Sequence, residues 1–292
     1  MLTYNQFGKI LILTGDLDPV YVMLARARLD KDVLARFCLA YWLFYHVGVA
    51  ARIAQRPSKK FFSTCRREYR TCPRGTERRH FRGKKGLDAI NELERLSHGE
   101  PEWVVNFIFG AANDKKSRTA IDARMPFSKV RDRVLSLPQF GPWMAFKVAD
   151  MGERVLGYKI DFSDCNLEMY KDPIKGAALV RYGDPEHSIA SKGINQAIAR
   201  CKKRFGGMAA PPIVQGVWDR MCGLQEFETV LCKYKSYYNG HYPPGKDWKE
   251  IRAALKGASG LGGRLRKTLG TFKAQLASHV PPSLQKALRE ES

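Results

Sequence analysis

The sequence predicts a mainly helical protein. Apolar residues recur with a 3.6-residue period along most of the chain, the linkers between these stretches are short, and few segments alternate with the two-residue rhythm of a strand. With 292 residues, the chain is long enough to bury a sizeable core. A content of 44% hydrophobic and 11% aromatic residues excludes a disordered basic tail.

Taken in order, Asp16-Leu17-Asp18-Pro19 is a helix entry. Asp18 can accept from orphan amides, and Pro19 suits the first helical position, so a helix is expected over residues 20–29. A strongly apolar helix follows over 33–54, with Phe37, Tyr41, Phe44 and Tyr45 on one face. Composition then changes sharply. Residues 52–85 hold 13 Lys/Arg against two Glu, a net +11. Pro57, Pro73, Gly75, Gly83 and Gly86 interrupt this stretch, so it is expected to be loop-rich. Helices resume over 86–96, 101–113 and 128–136. A tight turn at Leu137-Pro138-Gln139-Phe140-Gly141 opens another, reaching Asp150. Further helices are expected over 189–205 and 215–238, with Gly206 to Pro212 as a boundary or hinge. Residues 1–255 are expected to form the catalytic region, with two helical lobes around a cleft as one arrangement. Residues 256–292 read as a basic, partly flexible tail.

The charge limits the partners. Fifty Lys+Arg against 29 Asp+Glu give +21 and a pI near 9.8. A nucleic acid, a phosphorylated substrate or an anionic membrane surface would satisfy it. A membrane span is not expected. The longest apolar candidate, residues 37–51, falls short of the roughly 18 residues a span needs and contains His46. The N-terminus lacks the pattern of a secretion signal. Seven Cys, with no C-x-x-C and no Cys/His pair at zinc-finger spacing, suggest free thiols in a reducing cytoplasm and no metal site.

The segment 137–141 carries the most local information. An apolar residue, Pro, a two-residue turn and Gly141 before an amphipathic helix resemble the hairpin of helix-hairpin-helix proteins. Such hairpins offer backbone N–H groups to a DNA phosphate. In helix-hairpin-helix DNA glycosylases, a short loop after the hairpin helix carries a catalytic Asp. Here Val155-Leu156-Gly157 leads to Asp164-Cys165-Asn166, and Asp164 takes that place. The chain departs from the pattern at three positions. Gln139 replaces the first hairpin Gly, Trp143 stands where the lyase subset has Lys, and Cys165-Asn166 replaces Thr-His. These departures speak against Schiff-base chemistry at Trp143 and against ordinary base excision.

Other segments extend the resemblance. Asp16-Leu-Asp-Pro-Val-Tyr21 precedes Ala40-Tyr-Trp-Leu-Phe-Tyr-His-Val-Gly-Val49 and Pro73-Arg-Gly-Thr-Glu-Arg-Arg-His-Phe-Arg-Gly83. Glu228-Thr-Val-Leu-Cys-Lys-Tyr-Lys235 comes later, with Gly240, Tyr242 and Gly245-Lys-Asp247 after it. In this order, over residues 14–255, the chain resembles the alpha-glutamyl/putrescinyl thymine pyrophosphorylase family, also called amino acid:DNA transferases, of bacteriophage thymine hypermodification. The resemblance implies a mainly α, helix-hairpin-helix DNA glycosylase-like fold. It implies transfer of an amino acid or polyamine onto 5-pyrophosphoryloxymethyl-deoxyuridine in double-stranded phage DNA. It implies as well that pyrophosphate is displaced and that the reaction takes place in the cytoplasm of the infected bacterial host. A monofunctional glycosylase and a non-enzymatic DNA-binding module are the alternatives.

The residue chemistry accords with this. A leaving pyrophosphate needs Arg forks and N–H donors, which Arg74, Arg78, Arg79, His80 and Arg82 supply. The same run could instead track backbone phosphates. A flipped base needs aromatic faces; Tyr41, Trp42, Tyr45 and Trp143 are candidates for that role as well as for the core. Asp164 is the candidate base for the incoming ammonium, with Asp161 and Asp150 close in sequence. His46 is either a site donor or a core histidine. The acceptor pocket for the amine draws on Asp18, Tyr21 or Glu228. No cofactor is specified, and a divalent cation accompanying the pyrophosphate is left open.

Overall fold

The computed structural model describes residues 1–72, 83–110, 124–167, 170–211 and 220–290. In chain order the first helices are α1 (Tyr4–Thr14), α2 (Pro19–Ala27), α3 (Lys31–Phe44), α4 (Val47–Ala54), α5 (Phe61–Thr71), α6 (Gly83–Leu96) and α7 (Pro101–Phe109). Then come β1 (Met125–Pro126), α8 (Phe127–Leu135), α9 (Pro142–Arg154), β2 (Ile160–Asp161), α10 (Lys171–Tyr182), α11 (Ser191–Phe205) and α12 (Leu224–Tyr238). The last are α13 (Lys246–Ala254), α14 (Gly260–Leu269), α15 (Phe272–His279) and α16 (Pro282–Arg289). The protein is mainly helical, as its periodicity predicts. No helix among the described residues is long and apolar enough to cross a membrane.

The chain divides into two compact units. The first comprises Met1–Val22, Asn166–Glu250 and Leu269–Ser292. Its helix α1 begins with a capping box: Thr3 accepts from the Gln6 amide while Gln6 accepts from the Thr3 amide. The helix ends at Gly15, whose φ is 70°. Phe7, Ile10 and Leu11 share one face and are fully buried with Phe205, Val230 and Leu231. Helix α10 lies backbone-close on α12. A Cβ at Gly176 would stand 2.2 Å from the Leu231 carbonyl oxygen, so only glycine permits this approach.

The second unit comprises Met23–Cys165 and Ile251–Thr268. Helix α3 packs on α4 and α7, and α8 packs on α9. Phe37, Trp42, Phe44, Val49, Ile53 and Ile108 are buried in it. Strands β1 and β2 pair in parallel, with Met125 opposite Ile160 and Pro126 opposite Asp161. Just beyond β2, Phe162 packs against Phe127 of α8 and Phe146 of α9, with ring centroids 5.5 and 5.8 Å away. Together these contacts fix the loop that carries Asp161 and Asp164.

Several sequence expectations need correction. The single helix over 33–54 is two helices. Tyr45 adopts φ 47° and closes α3, and extended His46 caps α4 through its Nδ1, which accepts from the Val49 amide at 3.2 Å. The basic stretch is less loop-like than its charge suggests. Phe61, Phe62, Thr64, Cys65 and Glu68 form the buried stripe of α5, and the cations occupy its other face. The helix expected over 101–113 stops at Phe109, because Gly110 takes φ 75° and caps it. That expected over 215–238 starts at Leu224, after the N-cap Gly223. At the C-terminal end, residues 260–289 form α14 to α16, with Leu265 and Leu269 fully buried.

Candidate active site

The segment at 137–141 forms a turn between α8 and α9. The Phe140 amide donates to the Leu137 carbonyl at 3.4 Å. Pro138 at the second position and a positive φ at the third are features of a type II turn. The third residue is Gln139, with φ 66°. The left-handed conformation therefore falls on Gln139 and not on Gly141, whose φ of −108° is open to any residue. Gly141 contributes differently. It is the N-cap of α9, with Pro142 at the first helical position and no side-chain cap. A Cβ added to Gly141 would meet nothing within 4 Å. The space beside Gly141 is therefore open at the N-terminus of α9, the positive end of the helix dipole, where an anion is favoured.

Trp143 lies in the first turn of α9. Its ring is 5.2 Å from that of Tyr45, tilted by 57°. Tyr45 stacks on Tyr41 at 4.7 Å, and Tyr41 on Phe37 at 6.2 Å. A column of rings from α3 thus ends at Trp143, which is half-buried. Trp42 does not join it: it is 1% exposed and belongs to the core. His46 follows Tyr45 directly and occupies the α4 cap described above.

The carboxylates take distinct positions. Asp164 is exposed, and its Oδ2 accepts from the Ser128 amide in the first turn of α8 at 3.1 Å. That bond satisfies one of the helix's orphan donors and places negative charge at its positive end. Asp161 accepts from the Ser163 amide at 2.9 Å. Phe146, which packs against Phe162 of this loop, is three residues after Trp143 on α9. The loop therefore meets α9 within one turn of Trp143. Asp150 is fully buried and pairs with Arg154 at 3.3 Å, a structural role. Arg74, Arg78, Arg79, His80 and Arg82 lie outside the described residues. Among the described residues, no group of three or more His, Cys, Asp or Glu could hold a metal ion.

In the first unit, sequence reasoning missed a buried polar network. Lys233 of α12 donates to the Asp16 carbonyl at 2.6 Å, the Tyr242 hydroxyl at 2.8 Å and the Asp247 carboxylate at 2.7 Å. An ammonium has three hydrogens, so this one is saturated. Burial opposes its charge, but Asp247 and Asp16 outweigh burial and raise its pKa. The Asp16 carboxyl accepts from the Gly245 amide at 2.6 Å through Oδ2, while Oδ1 is buried without a partner. Burial pushes Asp16 up to about 7, against the pull of Lys233. Nearby, Tyr21 and Glu228 are buried as well, and Glu228 accepts from the Thr229 hydroxyl at 3.1 Å.

This network joins segments far apart in sequence: the helix entry at 16, the run around 233 and the turn at 242–247. A family model for amino acid:DNA transferases matches residues 7–242, a span that includes the hairpin, the aromatic pair, both loop carboxylates and most of the network. The chain belongs to the amino acid:DNA transferase family. Over 278 residues it is 34% identical to the glycinyltransferase of Pseudomonas phage PaMx11, covering 87% of this chain and 90% of that protein. Over 277 residues it is 28% identical to the putrescinyltransferase of Delftia phage PhiW-14, covering 92% and 80%.

Like other members of its family, the transferase joins an amino acid or amine to DNA. Its seven cysteines are free thiols. Burial raises the thiol pKa of Cys38 and Cys65, and that of Cys201 to about 12. Such protonated sulfurs are poor nucleophiles. Lys233 would have to break three hydrogen bonds before its nitrogen could attack a carbon.

Proposed function

We propose that this transferase attaches an amino acid or polyamine to 5-pyrophosphoryloxymethyl-deoxyuridine in double-stranded phage DNA, in the cytoplasm of the infected bacterial host. The amine nitrogen attacks the 5-methylene carbon. A C–N bond forms, the C–O bond to pyrophosphate breaks, and the glycosidic bond is kept. The ammonium must first lose a proton, because only the neutral amine has a lone pair. Asp164, with Asp161 beside it, receives that proton. Tyr45 and Trp143 hold the flipped base, and the α9 amides next to Gly141 bind a DNA phosphate. His46 donates to the departing pyrophosphate, and Arg74, Arg78, Arg79, His80 and Arg82 are the residues assigned to neutralise its charge.

The observation that carries this reading is the Tyr45–Trp143 pair at the start of α9, within one turn of the carboxylate loop, in a chain of this family. Support for the arginines comes from α5. Its Tyr69 packs 6.3 Å from Phe44, so the chain enters the Arg-rich run close to Tyr45. A helix-hairpin-helix, DNA glycosylase-like fold is proposed on the same ground, from the Gln139 turn between α8 and α9. The relatives' names make glycine and putrescine the first amines to try. The test is mass spectrometry of nucleosides after incubating the transferase and each amine with DNA bearing 5-pyrophosphoryloxymethyluracil. An amine adduct with stoichiometric pyrophosphate is expected. Abasic sites instead of adduct would make the protein a glycosylase.

A further inference from the structure

We propose that a cleft between α4 and α5 binds one backbone phosphate of the DNA duplex, away from the reacting base. The cleft measures about 280 Å³ and is lined by Arg56, Lys60, Ser63, Thr64 and Arg67. All five are polar, so it offers no stacking face for a base. Its volume is at the bottom of the roughly 300–1,000 Å³ typical of small-molecule pockets, which suits a hydrated phosphoryl group.

The charges around the cleft differ from those nearby. Arg52 is spent on Glu68, at 3.0 and 2.7 Å; Arg66 pairs with Glu94 and Arg36 with Glu102. Arg56 and Lys60 make no ion pair among the described residues. Arg67 reaches only Glu68, at 3.6 Å, and that carboxylate already serves Arg52. Three cations thus converge with almost no compensation, an arrangement that an anion would relieve. A further donor points the same way. Thr64 is 4% exposed, lines the cleft and has no hydrogen-bond partner for its hydroxyl among the described residues.

Both a duplex phosphate and the leaving pyrophosphate share this chemistry, and position selects the former. Helix α4 runs from the His46 cap beside Tyr45 to the residues just before Arg56, about 12 Å of axis. The α5 residue near Phe44 is Tyr69, toward the far end of that helix from the cleft. If Tyr45 receives the base, as the proposed function holds, the contacted phosphate is displaced by the equivalent of about three to four base steps of 3.4 Å.

The test uses the full chain with Arg56→Ala, Lys60→Ala and Arg67→Ala combined, and separately Thr64→Val, which keeps volume in the buried position. Binding to unmodified duplex DNA is measured against salt. The triple variant is expected to lower the slope of log K against log salt by about 1, the loss of one phosphate contact. In a second duplex carrying a single 5-pyrophosphoryloxymethyluracil to set the register, neutral methylphosphonate placed at each backbone position in turn should weaken the wild type at a position about three to four steps from that base. The triple variant should no longer respond there. Thr64→Val should weaken binding without changing the slope. A folded triple variant with an unchanged slope and unchanged interference pattern would overturn the assignment. So would normal duplex binding together with weakened inhibition by pyrophosphate, which would make the cleft a leaving-group site. Because the salt titration uses unmodified duplex, loss of slope in a protein that forms no amine adduct would leave this site standing while refuting the reaction.

Discussion

Gln139 holds a left-handed backbone that costs a side-chain-bearing residue about 1 kcal/mol and glycine almost nothing. Gln139→Gly should therefore stabilise the turn by up to about 1 kcal/mol in urea denaturation, leaving DNA affinity unchanged; destabilisation would mean that the Gln side chain holds the turn. Asp164 combines a visible task with a proposed one. Asp164→Asn retains an oxygen for the Ser128 amide and should keep its stability, while turnover falls about 10²- to 10⁴-fold if the carboxylate is the base. Asp164→Ala should lose the same turnover and also about 1 kcal/mol. Equal turnover in Asn and wild type would reduce the residue to a cap. Asp16 makes a pH prediction. Its pKa is raised from 3.8 to about 7, so between those values only the folded chain holds the proton. The stabilisation is complete below about 4 and is lost as pH rises through 7. Denaturation midpoints at pH 5 and 8 should show this loss in wild type and a flatter response in Asp16→Asn. The sequence nominated Tyr45, Trp143 and Asp164 one at a time, but a ring contact between residues 45 and 143 is a tertiary fact that no local pattern encodes. The Lys233 network was missed for the same reason. Whether a lysine on an amphipathic helix is solvated or buried depends on acceptors supplied from positions 16, 242 and 247.

At the scale of elements, periodicity located most helices and failed mainly at their ends. The break at Tyr45-His46 was hidden because both residues continue an apolar run, and a histidine ring acting as N-cap leaves no compositional mark. Its consequence can be measured. His46→Asn can keep the bond to the Val49 amide and should retain stability, whereas His46→Ala should cost about 1 kcal/mol. If His46 also serves the leaving group, turnover should fall in both. Helix α5 shows the opposite error. Its mean charge suggested loop, but Phe61, Phe62, Cys65 and Glu68 recur at helical spacing, and Arg52 neutralises Glu68 from α4. Charge density reports which face is wet, and the apolar stripe reports the helix. Removing that neutralisation with Arg52→Ala leaves Glu68, only 9% exposed in its side chain, without its 2.7 Å partner. Thermal melts should show a loss of about 1–3 kcal/mol, and a melt identical to wild type would make the pair a surface ornament.

For the molecule as a whole, the +21 total fits a polyanionic partner, and the family supplies DNA. Affinity for duplex DNA should fall steeply and linearly on a log–log salt plot, and a flat response would be incompatible with binding through phosphates. The total alone could not divide the charge among tasks. Inside the second unit some arginines are consumed by Glu68, Glu94 and Glu102, while Arg56 and Lys60 make no ion pair among the described residues and line the cleft. The buried thiols have a practical consequence. Cys38 and Cys65 lie in the second unit and Cys201 in the first, each protonated and fully enclosed. An alkylating reagent can reach them only when the surrounding helices part. Peptide mapping of iodoacetamide uptake over time would therefore act as a pair of internal clocks, one for the opening of each unit. With DNA bound, whichever clock slows more would identify the unit that the duplex braces.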